Sequence, residues 1–226
     1  MRQSPRALRP AAGILFAVPL LLGCSDNGTD PTPPRAAMEI TIPVDMSLEE
    51  AADAAVAGDT LTIISGVTLS KTAEFSQSQT PLLIRGSSKL EAASITGPPD
   101  QPLLRFVSPS AGTLVTGILF LEGGMAITAT GAGEVRIERC EFNGAMIQVS
   151  GTGSGLTVQV AACVMENATH FSVRMTDGAR TECTSNTIVG AGDCGILVTG
   201  GGASSVERCI VYDSENYGIA CTGGAT

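Results

Sequence analysis

The chain has 226 residues, and its composition points to a folded protein of strands and turns. It contains 27 Gly and 12 Pro, with 43% hydrophobic, 15% charged and 4% aromatic residues. A disordered chain would hold fewer aliphatic residues, and a helical bundle would hold far less Gly, which destabilises helix interiors. The net charge of −9 argues against nucleic acid and anionic membrane surfaces as direct partners. We therefore predict an all-β protein of many short strands.

The N-terminus combines a basic start with a short apolar run. Three arginines precede Ala11–Leu22, a run too short to span a bilayer, which indicates a signal peptide over residues 1–23. The following Cys24 completes a Leu-Leu-Gly-Cys motif that resembles the lipobox of bacterial lipoproteins. This resemblance implies lipidation of Cys24, a membrane anchor through that lipid, and, from Ser25, an outer-membrane location in the cell envelope. An ordinary signal peptide that happens to contain a Cys is the alternative.

The rest of the chain divides into a tether and one domain. Residues 24–37 are polar and Pro-rich, which predicts a disordered tether. The domain, residues 38–226, begins with a predicted strand at Ile40–Pro43 and a helix at Ser47–Ala57. Ser47 and Glu50 have the spacing of a capping box, and the apolar stripe of the helix suits a cap over the first coil.

The second half of the domain repeats with a period of 23 residues. Columns of core residues keep fixed offsets from coil to coil, and only the interval from Ile147 to Val173 is longer, at 26 residues. Fixed columns with variable loops are typical of a solenoid with stacked coils. The columns are Cys140, Cys163, Asn186 and Cys209; Ile137, Val160, Cys183 and Val206; Phe142, Met165, Ile188 and Val211; Ile147, Val173, Ile196 and Ile219; and Val149, Met175, Val198 and Cys221.

This repeat resembles the right-handed parallel β-helix of the pectate-lyase-like superfamily. The segments Asn186–Ile188 with Gly195–Val198, and Cys209–Val211 with Gly218–Cys221, are similar to its generic repeat. The resemblance implies a solenoid of about 23 residues per coil, with irregular coils before Gly117. It does not specify an activity, because the superfamily includes lyases, hydrolases, epimerases, adhesins and inert stalks.

The remaining cysteines allow two interpretations. An oxidising compartment would permit a disulfide ladder, whereas buried free thiols would act as small hydrophobic side chains. Cys140 and Cys163 stack at the strand spacing of about 4.8 Å, slightly too far for an unstrained bridge, so we favour free thiols. The six residues in question are Cys140, Cys163, Cys183, Cys194, Cys209 and Cys221.

The resemblance also places candidate site residues on one sheet and in the loops before it. If Val173 and Met175 point inward, Arg174 points outward, and Gln148 is its equivalent one coil earlier. A lyase would need a base, for which Arg174 is a candidate, and a cation. The catalytic candidates are Arg174, Glu166 and His170; the candidate glycan contacts are Gln148, Arg174, Asp213 and Tyr217; and the candidate Ca²⁺ ligands are Asp193 and Asp213.

Three functions follow as hypotheses. The first is a surface-tethered module that binds extended polysaccharides without turnover, for which no cofactor is expected. The second is a polysaccharide lyase or glycoside hydrolase, with Glu166 and Asp193 as a conceivable carboxylate pair and Ca²⁺ as a conceivable cofactor. The third is a passive stalk or adhesin-like scaffold. After its last predicted strand the sequence shows no helix to cover the final coil, so we expect further coils or a docking partner at that end.

Overall fold

The computed structural model of the chain describes residues 35–87, 93–121, 124–151, 155–200 and 203–223. A compact unit begins at Arg35, three residues before the predicted domain boundary. The predicted signal peptide, Cys24 and the predicted tether up to residue 34 lie outside the described residues. In the described part of the chain, no helix has the length and apolar character needed to cross a membrane.

The fold is a stack of seven three-stranded coils, preceded by strand β1 (Glu39–Ile42) and helix α1 (Leu48–Ala54). The strands of the first three coils are β2 (Thr60–Ile63), β3 (Val67–Thr68), β4 (Ala73–Ser76), β5 (Leu83–Gly86), β6 (Ser94–Thr96), β7 (Leu104–Val107), β8 (Thr113–Thr116), β9 (Leu119–Leu121) and β10 (Met125–Thr130). The strands of the last four coils are β11 (Gly133–Glu138), β12 (Glu141–Asn143), β13 (Met146–Ser150), β14 (Leu156–Ala161), β15 (Val164–Glu166), β16 (Phe171–Thr176), β17 (Arg180–Thr184), β18 (Thr187–Val189), β19 (Cys194–Thr199), β20 (Ser204–Glu207), β21 (Ile210–Tyr212) and β22 (Tyr217–Thr222). A short 3₁₀ helix covers Gln77–Gln79.

Each coil gives one strand to each of three parallel sheets. The first sheet has the order β1-β2-β5-β8-β11-β14-β17-β20, the second sheet runs from β3 to β21, and the third sheet runs from β4 to β22. The predicted columns are confirmed, because the observed register places their members side by side in successive coils. It aligns Ile137 with Val160, Cys183 and Val206; Phe142 with Met165, Ile188 and Val211; and Ile147 with Val173, Ile196 and Ile219.

The core is a continuous aliphatic and aromatic stack inside the coils. Alternate residues of each strand point inward, so that β14, for example, alternates buried and half-buried positions along its length. Two aromatic pairs stack between neighbouring coils: the Phe75 and Phe106 ring centroids lie 5.4 Å apart, and those of Phe120 and Phe142 lie 4.9 Å apart. The column that contains Phe120 and Phe142 continues with Met165.

Coil length varies in the first half of the domain, as the sequence predicts. Leu83 pairs with Leu114, 31 residues later, whereas Thr157 pairs with Arg180 after the regular 23 residues. The extra residues fall in the connection from β5 to β6 and in the corner at 97–103 between β6 and β7. The strands therefore keep their register while the corners absorb the insertion.

Left-handed residues turn the corner between the first and second sheets. Arg139, Ala162, Ser185 and Arg208 occupy equivalent positions in four successive coils, with φ between 53° and 57°. Gly117 fills the same corner one coil earlier, with a φ of 66°. This conformation bends the chain at one residue, and the residue that follows is buried in each coil except the last, where Cys209 is half-buried. The cysteine column can therefore reach the core although it lies between strands.

Helix α1 covers the N-terminal end of the core. Ser47 caps it and forms the predicted capping box with Glu50, while Leu48, Ala51 and Ala52 are buried. The helix packs against β4, the first strand of the third sheet. It ends earlier than the predicted Ala57, because Ala55 already has an extended backbone (φ −60°, ψ 145°) and the Val56 N–H donates to the Asp59 carboxylate.

The described cysteines are free thiols. All six residues from Cys140 to Cys221 are unbridged, and four of them are buried. Burial, reinforced by Cys209 and Cys163 nearby, raises the pKa of the Cys183 thiol to about 12. The Cys140 thiol donates to the Val115 carbonyl oxygen over 3.7 Å. The four buried thiols therefore pack in the core as small side chains, and that of Cys183 stays protonated at neutral pH.

Candidate functional site

The third sheet presents the outward row that contains Gln148 and Arg174. Strand β13 carries Gln148 and β16 carries Arg174, and the two residues are register partners. Val173 and Met175 are buried on either side of Arg174, so the predicted outward orientation is correct. The row continues in both directions along the sheet through Arg105, Thr128, Gln148, Arg174 and Leu197.

A shallow groove of about 250 Å³ lies along this row. Thr128 lies in it, only 8% exposed, and its hydroxyl has no hydrogen-bond partner. Buried polar atoms in folded proteins are nearly always paired, so this hydroxyl is an exception, and it is covered by protein rather than open to the groove. The residues that line the groove are Pro102, Arg105, Met125, Thr128, Ala129, Thr130, Gln148 and Ser150.

The corners between the second and third sheets differ in length along the groove. The 97–103 corner spans seven residues and supplies Pro102, whereas the 144–145 corner beside Gln148 spans only two. From β15 onward these corners span four residues, as at 167–170. A bulge in β10, between Met125 and Ile127, also shifts the register against β13. The groove therefore forms where a short corner and a bulge lie between longer corners.

Sequence reasoning found Gln148 but missed the N-terminal half of the groove. Arg105 and Thr128 lie in the coils before the regular repeat, so the 23-residue period does not predict which residues they pair with. Alternation within Met125–Thr130 was an available signal, since Ile127 and Ala129 are inward and Thr128 lies between them. The bulge at Ala126 obscures that alternation at the start of the strand.

The two arginines of the row differ in their electrostatic surroundings. An Nη1 atom of Arg105 lies 3.5 Å from Oε2 of Glu74, so its charge is balanced by an ion pair. The Arg174 guanidinium lies over the Phe171 ring, 5.7 Å from its centroid. Its Nε is buried without a hydrogen-bond partner, and no carboxylate of the described chain forms an ion pair with it.

The catalytic candidates Glu166 and His170 lie outside the groove. Glu166 lies in the second sheet, where its register partners are Asn143 and Val189. His170 is exposed at the corner, with its ring centroid 6.2 Å from that of Phe171. The structure therefore leaves Glu166 and His170 away from the row, whereas Arg174 lies in the row, one coil beyond the residues that line the groove.

The remaining candidates lie in the last two corners of the solenoid. The Asp193 carboxylate accepts a hydrogen bond of 2.8 Å from the Asn216 side chain, and Asp213 is an exposed left-handed residue with a φ of 59°. Tyr217 is 62% exposed in the last strand. Within the described ranges, no three His, Cys, Asp or Glu side chains come together as metal ligands would. Calcium binding by Asp193 and Asp213 stays a prediction.

Comparison with protein families agrees with the coil geometry. The model of the right handed beta helix region matches residues 106–226, which is more than half of the chain. The chain belongs to the right-handed β-helix family. No curated protein and no solved structure showed a significant match. Within this right-handed β-helix the family match begins in β7 and includes every strand of the regular 23-residue repeat.

Proposed function

We propose that this right-handed β-helix is a module tethered to the bacterial cell envelope, and that its third sheet binds extended glycans without turnover. The observation that carries the proposal is the groove around Thr128 and Gln148, whose polar side chains recur once per coil. Successive coils are separated by about 4.8 Å, so equivalent side chains form a ladder along the solenoid. A polymer of sugar units is a ligand with a matching repeat.

The chemistry of the groove suits a carbohydrate. Gln148 offers an amide, which can donate to and accept from sugar hydroxyls. Pro102 and Met125 add apolar surface, which can contact the C–H face of a sugar ring. The groove is shallow, so each unit gains little, and affinity accumulates along the polymer. The resemblance to the pectate-lyase-like superfamily, which includes enzymes that act on polysaccharides, also supports this ligand class.

The binding test compares two glutamines on neighbouring sheets. Gln148 lies in the groove, whereas Gln159, also half-buried and outward, lies in the first sheet, where it donates to Glu182 over 3.2 Å. Both would be replaced by Ala. Affinity would be measured by calorimetry and affinity electrophoresis on xyloglucan, arabinoxylan, galactomannan, dextran, pectate and alginate. We expect Gln148→Ala to weaken binding about fivefold to tenfold, from one lost hydrogen bond, and Gln159→Ala to match wild type.

The same panel distinguishes the other functions. Each polymer is incubated with the protein, with and without Ca²⁺, and assayed for unsaturated products and new reducing ends. If wild type forms products and Arg174→Ala or Asp193→Ala does not, the protein is a lyase or hydrolase rather than a binding module. The absence of both products and binding would favour a passive scaffold.

The tether is tested separately through Cys24. Cys24→Ala removes the proposed site of lipidation, so the protein should move from the membrane fraction to the soluble fraction. If wild type and variant fractionate alike, the lipid anchor is contradicted. This result would not affect the proposal for the groove.

A further inference from the structure

We propose that Arg174 makes the groove select a largely neutral glycan that carries an isolated anionic substituent, either a carboxylate or a sulfate ester. This inference rests on the proposed glycan-binding function and adds the chemical class of the ligand. Arg174 is then the specificity-determining residue. Gln148 lies one coil away from it, on the side of the groove.

The charge of Arg174 is the first reason. A half-buried guanidinium normally has a carboxylate partner, because desolvation of an unpaired charge is costly. Arg105, in the same row, has such a partner in Glu74, but Arg174 has none among the described residues. Its Nε–H is also buried and unsatisfied. A bound anion would pair with the charge of the guanidinium and supply the ion-pair partner that Arg174 lacks.

The position of the guanidinium is the second reason. The Phe171 ring lies against it at 5.7 Å and fixes it by a cation–π contact. Gln148 is the direct register partner of Arg174, and Thr128 is that of Gln148. The three residues therefore lie in consecutive coils, and a ligand seated on Thr128 reaches Arg174 about 10 Å further along the axis. The anionic group belongs at that end of the bound segment.

The neutrality of the remaining groove limits how many charges the ligand can carry. Apart from the ion-paired Arg105, the described residues that line the groove are uncharged. The chain as a whole has a net charge of −9. A polymer with a charge on every unit would meet, among the described residues of the row, one cation without an ion pair, Arg174, and a repulsive background. A ligand with few charges gains the contact to Arg174 and avoids most of the repulsion.

The experiment compares each neutral polymer with its own charged derivatives. Xyloglucan, arabinoxylan, galactomannan and dextran are each tested in three forms: unmodified, lightly carboxymethylated and lightly sulfated. Pectate is the densely charged reference. Binding is measured for wild type, Arg174→Gln and Arg180→Gln. Arg180 is the matched control, an exposed arginine of the first sheet that pairs with Glu182 at 2.8 Å. Thermal unfolding of each variant checks that the fold is retained.

We expect a lightly charged derivative to bind wild type roughly tenfold or more tightly than its neutral parent. Arg174→Gln should abolish this preference, so that the derivative binds no more tightly than its neutral parent, while Arg180→Gln should keep the preference. The carboxymethyl and sulfate arms identify which anion is preferred. Equal binding of parent and derivatives by wild type would overturn the inference but leave the glycan-binding function standing. Preference for pectate would overturn the neutral ligand, and no binding at all would overturn both.

Discussion

Asp59 is the residue that joins the N-terminal segment to the first coil. Its side chain is fully buried, and its carboxylate accepts hydrogen bonds from the backbone N–H groups of Met38 and Val56, at 2.8 and 2.9 Å. Arg35 adds an ion pair at 2.5 Å. Burial by itself would raise the pKa of Asp59, but these hydrogen bonds and the Arg35 charge outweigh burial and hold the pKa below its ordinary value.

Asp59→Asn should therefore destabilise the domain. The amide keeps one acceptor but loses the charge that balances Arg35, which we expect to cost about 2–4 kcal/mol in the free energy of unfolding. Urea unfolding at pH 7 measures the effect. Asp53→Asn is the control, because Asp53 is 74% exposed and only 3.4 Å from the exposed Lys71 amine, so its loss should cost within about 0.5 kcal/mol. Equal midpoints for both variants would contradict the role of Asp59.

The same carboxylate predicts a loss of stability in acid. Because the folded pKa lies below the unfolded value of about 3.9, Asp59 contributes fully above that value. Its contribution is lost as the pH falls through the folded pKa. Wild type should thus lose more stability than Asp59→Asn between pH 5 and pH 3, roughly, as measured by unfolding across this range. Parallel losses in the two proteins would show that other carboxylates account for the acid effect.

At the scale of elements, the sequence predicts strands and corners well where the period is regular. The inward columns of β11 to β22 follow from alternation and a 23-residue spacing, both of which are local properties. The first three coils were harder to predict from the sequence, because the longer connections from β5 to β6 and from β6 to β7 change the spacing without changing the strands. The groove depends on the 97–103 corner and on a bulge, so only its Gln148 end could be predicted.

The inward and outward phases of the strands can be tested by charge. Val160 is fully buried in β14, so Val160→Asp should cost several kcal/mol by placing an unpaired carboxylate in the core. Leu197, half-buried and outward in β19, is the control, and Leu197→Asp should cost at most about 1 kcal/mol. Thermal unfolding measures both. Similar melting temperatures would show that the assigned phases are wrong.

At the scale of the whole molecule, the β-helix is capped at one end and open in the described part at the other. Helix α1 buries its apolar side chains against the first coil, whereas Ile219, an inward residue of β22, is 48% exposed. The edge strands β20, β21 and β22 pair on one side only among the described strands. Contact of this end with further coils or a docking partner stays a prediction. The groove lies several coils away, so ligand binding should not depend on that contact.

The central claim is that an extended glycan lies on the third sheet. It is tested most directly by photo-crosslinking a diazirine-labelled oligosaccharide of the best-binding polymer, followed by peptide mapping with mass spectrometry. The account predicts crosslinks at residues of the groove, in particular Pro102, Met125 and Gln148, and their suppression by unlabelled polymer. Crosslinks concentrated on the first sheet, around Gln159 and Glu182, would contradict it.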